Sequence, residues 1–337
     1  MAQGSILDPA PPGGMADLGE DFGRRVLLTV DTEEEFDWNG PFTRDRHGLT
    51  HVPVIADFQQ LCENLGALPV YLCDWPILND SAATAIISDA VNRGAAEAGI
   101  QLHSWVTPPF EEELGARNSF AGNLPPELEA AKLNALCEAY ENAFGKRPLA
   151  FRSGRYGLGP QSVAMLKKAG IRIDLSVRPL FDYSAEKGPD YSDHPVRPYW
   201  ANADRSVLEL PLTSVYGGIA RQFGKSLRKA SGAMPMVNSA LSRLSLLERI
   251  PLTPEGVTSD EARTAIDLAL DDGLSLLVMS LHSPSLAPGN TPYVRTAQDL
   301  ETLQAWMRDI YAHLDRRGIR STTTQAVFSA VNGQIEK

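Results

Sequence analysis

Six ionisable side chains follow directly on short apolar runs. Asp31 and Glu33 come after residues 26–30, Asp74 after 68–73, His103 closes 100–103, Arg152 follows 149–151 and His282 follows 274–281. In parallel α/β folds ligands bind at the carboxyl ends of the strands, so if these runs are strands the six side chains share one rim. Each alone has an ordinary explanation. An acidic run such as 31–35 is usually a solvated loop, Asp74 before Trp75-Pro76 caps a turn, and a single His or Arg at a strand end usually packs on a polar neighbour. Together they gather hard oxygen ligands, imidazoles and a fixed cation, which suits a divalent metal and hydrolysis better than redox or phosphate chemistry. No GxGxxG follows the first run, and the chain has no GxxxxGK[ST] and no GxSxG. Dinucleotide binding, P-loop chemistry and a serine nucleophile lose their main supports.

The elements that must position these residues show in the patterning. Short apolar runs alternate with amphipathic segments of helical period, the texture of a parallel sheet covered by helices. Residues 26–30 form a continuous run of the kind buried on both faces. Val54, Ile55, Phe58, Leu61 and Leu65 make a helical stripe that stops at Gly66. The clearest helix opens at Pro125-Pro126, carries Leu128, Leu133, Leu136, Tyr140 and Phe144, and ends at Gly145. Further strands are expected at 149–151, 171–175 and 207–210, and further helices at 160–169, 259–271 and 296–314. The count, seven or eight β/α units, suits a closed or nearly closed barrel better than an open sheet, in one domain over 24–335.

Two segments stand apart. Residues 1–23 hold five glycines and three prolines with few large apolar side chains, so a disordered tail is expected there. Between Arg221 and Arg249 six basic residues face one acid, Glu248, and the stretch 217–250 reads as a basic insertion or lid. Its helix-like part, 236–247, is amphipathic enough to pack on the barrel or on a second subunit, which keeps a homo-oligomer open. Its charge suits an anionic polysaccharide or a phospholipid surface.

The chain has 337 residues, 43% apolar and 22% charged, enough for a large core. Lys and Arg number 31 against 42 Asp and Glu, a net charge of −11 and the wrong sign for a nucleic-acid binder. Cys62, Cys73 and Cys137 form no CxxC, so neither a disulfide scaffold nor a thiolate zinc site is expected. With no apolar leader and no run near the ~18 residues of a membrane span, a soluble, cytoplasmic protein without stable membrane insertion is expected.

Four segments now carry a resemblance. Thr29-Val30-Asp31-Thr32-Glu33, the Glu97-Ala98-Gly99 to His103-Ser104-Trp105 segment, Phe151-Arg152-Ser153-Gly154-Arg155-Tyr156-Gly157, and Leu281-His282-Ser283 resemble, in order and spacing over 24–330, the motifs of the polysaccharide deacetylase family (carbohydrate esterase family 4). The resemblance implies a distorted (β/α)7-8 barrel and a metal-dependent hydrolase acting on carbon–nitrogen bonds, which removes acetyl from an N- or O-acetylated sugar or polysaccharide. By position it makes Asp31 the general base, His282 the general acid and Arg152 the residue that orients the base. Glu33 and His103 become ligands of a divalent metal, zinc first, with cobalt or nickel as alternatives. The sequence departs from the family pattern in two places. Thr32 separates the two acids, and the histidine four residues from His103 is missing, with Thr107 after it and Gly99 before it. Gln101 takes a ligand position in one alignment, and His47 and His51 are outside candidates for the third ligand.

Two other readings stay open. One is a deacetylase-like scaffold that binds a saccharide without turning it over. The other is a glycoside hydrolase using two of Asp31, Glu33 and Asp74, which leaves His103 and His282 without a role. Asp74, Trp75, Trp105, Asn118 and Tyr156 are the expected substrate contacts, the aromatic ones because flat apolar faces pack on sugar rings. Asn118 lies in a long loop before the strong helix, and 283–295 is a second long loop beside His282. Connections of that length are usually functional.

Overall fold

The computed structural model describes residues 5–10, 13–224 and 247–335. One sheet organises it. β1 (Arg25–Thr32), β2 (Pro69–Cys73), β3 (Glu97–Leu102), β4 (Ala150–Ser153) and β5 (Ile173–Asp174) run parallel in sequence order, followed by β7 (Leu208–Glu209) and then β6 (Tyr199–Trp200), which is antiparallel to it. β8 (Ser214–Gly217) and β9 (Glu248–Pro251) form a separate antiparallel ribbon, through which the chain leaves for and returns from the expected basic insertion. Residues 225–246 of that insertion lie outside the described residues. β10 (Leu276–His282) and β11 (Arg320–Ser321) both pair with β1.

The ladder therefore ends at β10 on one side and β6 on the other, and the barrel is distorted rather than fully laddered. Its gap is crossed by irregular backbone. The Thr213 N–H donates to Val278 O at 3.0 Å, the Leu252 N–H to Thr213 O at 2.9 Å, and the Ser280 N–H to Leu252 O at 3.2 Å.

Helices cover the outside: α1 (Val54–Leu65), α2 (Trp75–Leu78), α3 (Ser81–Asn92), α4 (Pro126–Phe144), α5 (Ser162–Ala169), α6 (Ser259–Asp271), α7 (Ala297–Arg316) and α8 (Thr324–Ile335). Their ends follow local chemistry. Gly145 ends α4 at φ 67°, a left-handed conformation that costs glycine little, and Thr258 opens α6 with a capping box to Glu261. Among the described residues no helix is long and apolar enough to cross a membrane.

Strand alternation explains why the site forms where it does. On β1 Val26, Leu28 and Val30 join the layer under the helices, while Leu27 belongs to a second cluster inside the barrel with Val70, Leu72, Ala150, Leu276 and Val278. Val327 and Val331 of α8 belong to that inner cluster too. Continuing each inward row toward the carboxyl end gives Thr29 and Asp31 on β1, Arg152 on β4, and Ser280 and His282 on β10. The same interior is thus apolar at its base and polar at its top.

The described part of the expected tail is packed rather than free. Ile6 and Leu18 are buried, Met15 bridges to Tyr199, and Ile6 O lies 2.9 Å from His194 Nε2. A few isolated apolar side chains with backbone hydrogen bonds anchor a segment whose average composition suggests otherwise.

Candidate active site

Asp31 and Arg152 form the floor of the site. Arg152 Nη1 pairs with Asp31 Oδ1, Nη2 donates to Thr29 Oγ1 at 3.0 Å and Nε to Leu175 O at 2.9 Å. Both residues are buried, so the guanidinium fixes the carboxylate and leaves Asp31 Oδ2 facing His282 Nε2 at 3.7 Å. On the other side of that ring Nδ1 lies 2.7 Å from Glu255 Oε2, and the His282 backbone N–H donates to Glu255 Oε1 at 3.3 Å. Burial by itself lowers the His282 pKa, but the carboxylates of Glu255, Glu33 and Asp31 outweigh it and hold the ring up at about 10. This balance of charges favours the protonated ring.

Glu33 stands beside this pair. Gln101 Nε2 donates to its Oε2 at 3.0 Å, and His103 Nε2 lies 3.4 Å from the same oxygen. Burial pushes the Glu33 carboxyl up to about 8, against the lowering effect of His282 and His103. His103 is oriented from behind. Its Nδ1 lies 2.8 Å from Glu34 Oε2, Trp105 Nε1 donates to Glu34 Oε1 at 2.7 Å, and the Glu34 N–H donates to Asp74 Oδ2 at 2.8 Å. Gly154 makes room for the ring, since a Cβ there would collide with His103 Cδ2.

These residues fit a divalent cation. Glu33 Oε1 and Gln101 Oε1 are buried acceptors without a hydrogen-bond partner, an arrangement that costs free energy unless something electropositive meets them. Ligand atoms of Asp31 and Glu33 lie within 4.8 Å of one another, and His103 adds an imidazole whose Nε2 is 3.4 Å from Glu33 Oε2. A carboxylate holding the second nitrogen of a histidine, as Glu34 holds His103, is the usual support of a metal-binding imidazole. Glu34, Asp74 and His103 also lie within 4.8 Å of one another. That group is consumed internally, because Asp74 Oδ1 accepts the Ile77 N–H at 2.9 Å, Asp74 Oδ2 accepts from Glu34, and burial with the neighbouring Glu34 pushes Asp74 far above the carboxylate range.

Above the polar floor is a cavity of about 260 Å³ with aromatic walls. Trp105 stacks on His103 with ring centroids 4.2 Å apart, Trp38 meets His282 edge-on at 5.1 Å, and Tyr293 packs against Trp38 at 5.7 Å. Phe36, Phe42, Phe120, Tyr156 and Tyr183 complete the apolar lining. Arg155 and Tyr156 both have positive φ, 54° and 60°, so the chain turns sharply as it leaves β4 and presents both side chains to the cavity.

Of the residues expected from sequence, Asp31, Glu33, Gln101, His103, Trp105, Arg152, Tyr156 and His282 line this one cavity. Three do not, and for them the expectation of substrate contact is corrected. Asp74 is fully buried as the cap of α2 and the partner of Glu34. Trp75 opens α2 and packs against the outer core. Asn118 lines a shallow crevice beside the cavity, where its Nδ2 donates to Glu113 O at 2.9 Å. His51 is no ligand either: Nδ1 meets Glu35 at 2.8 Å and Nε2 meets Ser283 Oγ at 2.9 Å. His47 is not on the cavity wall.

No family model matches the sequence, and no curated protein matches it. Solved structures match the fold. A Mycobacterium smegmatis protein assigned as a polysaccharide deacetylase superposes with a TM-score of 0.51 at 16% identity, over 97% of this chain and 96% of that one. A family 4 carbohydrate esterase from Streptomyces lividans reaches 0.43 at 10% identity over 89% and 92% of the two chains. A GH57-type branching enzyme from Pyrococcus horikoshii reaches 0.49 at 12% identity over 91% and 70%. The first superposition shows that the chain has the distorted (β/α) barrel of the polysaccharide deacetylases.

Proposed function

We propose that the chain is a metal-dependent carbohydrate deacetylase that hydrolyses an acetyl group, N- or O-linked, from a sugar or polysaccharide. Glu33, Gln101 and His103 would hold the ion, with the Asp31 carboxylate beside them. A mixed oxygen and imidazole set suits zinc first, then cobalt or nickel. When bound, such an ion makes a water nucleophilic near neutral pH and polarises the acyl carbonyl.

The rest of the chemistry belongs to the chain's own side chains. Arg152 holds Asp31 so that one carboxylate oxygen stays free to accept a proton from the attacking water. His282, protonated and held by Glu255, donates its Nε2 proton to the leaving nitrogen or oxygen. Glu33 gains most from the ion, because the burial that raises its pKa is then offset by a cation. The aromatic walls pack on the sugar and keep bulk water away from the floor.

The observation that carries the reading is the adjacency of two sets: the Arg152, Asp31, His282 and Glu255 chain, and the unpartnered acceptors of Glu33 and Gln101 beside His103. The glycoside hydrolase reading loses Asp74, whose carboxyl is occupied by Glu34 and α2. The test combines metal analysis of the purified protein with acetate release from N-acetylated chito-oligosaccharides and acetylated xylan. One ion per chain, lost on Glu33→Ala and His103→Ala together with acetate release, supports the reading. Saccharide binding with neither ion nor acetate release would replace it with a binding protein.

A further inference from the structure

Three guanidiniums line the cavity, and two are neutralised in place. Arg152 pairs with Asp31, and Arg155 Nη2 pairs with Glu186. Arg178 differs. It is half-buried, and among the described residues it has no carboxylate within 4 Å. Its one hydrogen bond there is from Nη1 to Tyr183 Oη at 3.2 Å. Its guanidinium lies over the Phe181 ring at 4.0 Å and over the Tyr156 ring at 5.3 Å.

These contacts immobilise the group without neutralising it. A guanidinium offers five N–H donors, and one is used here. Stacking on aromatic faces leaves the in-plane donors free, and a fork of donors in a plane is the geometry that binds carboxylate or phosphate bidentately. The cost of desolvating an unpaired cation at a cavity wall is recovered when an anion arrives. In a chain of net charge −11, an acid would have been the ordinary partner, and none lies within 4 Å among the described residues, although Asp31, Glu33 and Asp37 line the same cavity.

We propose that the acetylated sugar bound in this cavity carries an anionic group, a carboxylate or a phosphate, that docks on Arg178. The inference rests on the deacetylase reading for the acetyl group but not for the anion. Arg178 is thus a specificity-determining residue of the pocket, distinct from the groups that act on the acetyl, and Tyr183 is its positioning partner.

The test is a calorimetric binding comparison on the full chain. N-acetylglucosamine is set against N-acetylglucosaminuronic acid and N-acetylglucosamine 1-phosphate, and glucose against glucuronate and glucose 1-phosphate, with wild type, Arg178→Gln and Arg178→Lys. We expect an anionic member of each set to bind at least about tenfold tighter than the neutral one in wild type, as a charge-assisted pair implies. The preference, taken as the anionic-to-neutral affinity ratio within each variant, should collapse in Arg178→Gln and survive in part in Arg178→Lys. The stronger of the two anionic arms identifies carboxylate or phosphate. A purely structural stacking role would instead lower the melting midpoint and weaken all sugars equally, and that outcome overturns the proposal. So does an unchanged preference in Arg178→Gln, or no saturable binding of any anionic probe up to about 50 mM. Acetate release from neutral sugars without anion preference would sink the anion site and leave the deacetylase reading standing. An Arg178-dependent preference in the non-acetylated set, with no acetate release from any sugar, would do the reverse.

Discussion

Glu255 Oε2 stands 2.7 Å from His282 Nδ1, although Glu255 itself does not line the cavity. The loop that carries it comes after β9, just beyond the irregular backbone at Leu252 that spans the barrel gap. The break in the sheet is therefore what lets a carboxylate approach His282 from outside. Its other oxygen accepts from Ser285 Oγ and from the His282 N–H, so Glu255 fixes the ring's orientation as well as its charge.

Glu255→Gln should accordingly reduce kcat for acetate release by about 10²-fold with a small change in KM, the scale of losing a well-placed acid. The carboxylate is a principal cause of the raised His282 pKa, so its removal lowers that pKa. The alkaline limb of the kcat profile, which needs His282 protonated, should move to lower pH. An alkaline limb that stays in place would show that His282 is not the group being titrated.

Asp31→Asn keeps the shape of the floor but leaves Arg152 as a buried cation without its anion. Breaking a buried pair in this way costs about 3–5 kcal/mol, so the melting midpoint should fall along with activity. Asp31→Asn combined with Arg152→Met should recover much of the stability and none of the activity. A double variant no more stable than the single would mean the pair is not the source of the loss.

Added zinc or cobalt should raise the melting midpoint of chelator-treated wild type. At about 100 times the dissociation constant the stabilisation is about 2.7 kcal/mol. Glu33→Ala should show no such response, since it removes both the carboxylate that Gln101 and His103 face and one of the two unpartnered acceptors. An equal upward shift in the variant would place the ion elsewhere.

Much of this site was legible because a parallel barrel delivers its chemistry at strand ends. Asp31, Arg152 and His282 each end an inward row that is apolar lower down, and the first residues past each apolar run include them. Glu34 was harder. It sits in the same acidic run as Glu33, and only strand parity, sending Glu33 into the cavity and Glu34 behind His103, separates their roles. Asp74 misled because a residue at the right height can be turned aside by a helix that needs its cap. Arg178 lies past the fifth strand as Arg152 lies on the fourth, so the same rule reaches it once the run 171–175 is extended by three residues. Glu255 carries no local signal, because it lies on an irregular segment whose path is set by the gap in the sheet.

Lys132 on α4 ties down the loop that comes after His103. It is fully buried, and Nζ donates to Ser104 O at 2.9 Å, Thr107 O at 2.6 Å and Pro109 O at 2.7 Å, with Glu112 Oε2 at 3.0 Å. Lys132→Met leaves three carbonyls without their donor and the Glu112 carboxylate without its cation. We expect a loss of about 3 kcal/mol and faster proteolysis within 104–112. Unchanged cleavage in that loop would contradict the role.

Glu129 supplies a pH dependence away from the chemistry. It is buried on α4, and burial raises its carboxyl from the ordinary 4.5 to about 7, against the lowering effect of the Ser162 hydroxyl, which donates to it at 2.7 Å. Below pH 4.5 the group is protonated in both folded and unfolded chains, and burial then costs no charge. Between pH 4.5 and 7 the unfolded chain releases the proton while the folded one keeps it, so stability falls as pH rises and levels off above about 7. The full change is about 3 kcal/mol. Glu129→Gln keeps the Ser162 contact and cannot ionise, so its advantage over wild type in urea unfolding should grow from about pH 5 to about pH 8 and then stay constant. A difference independent of pH over that interval would show that Glu129 is charged in the folded chain throughout.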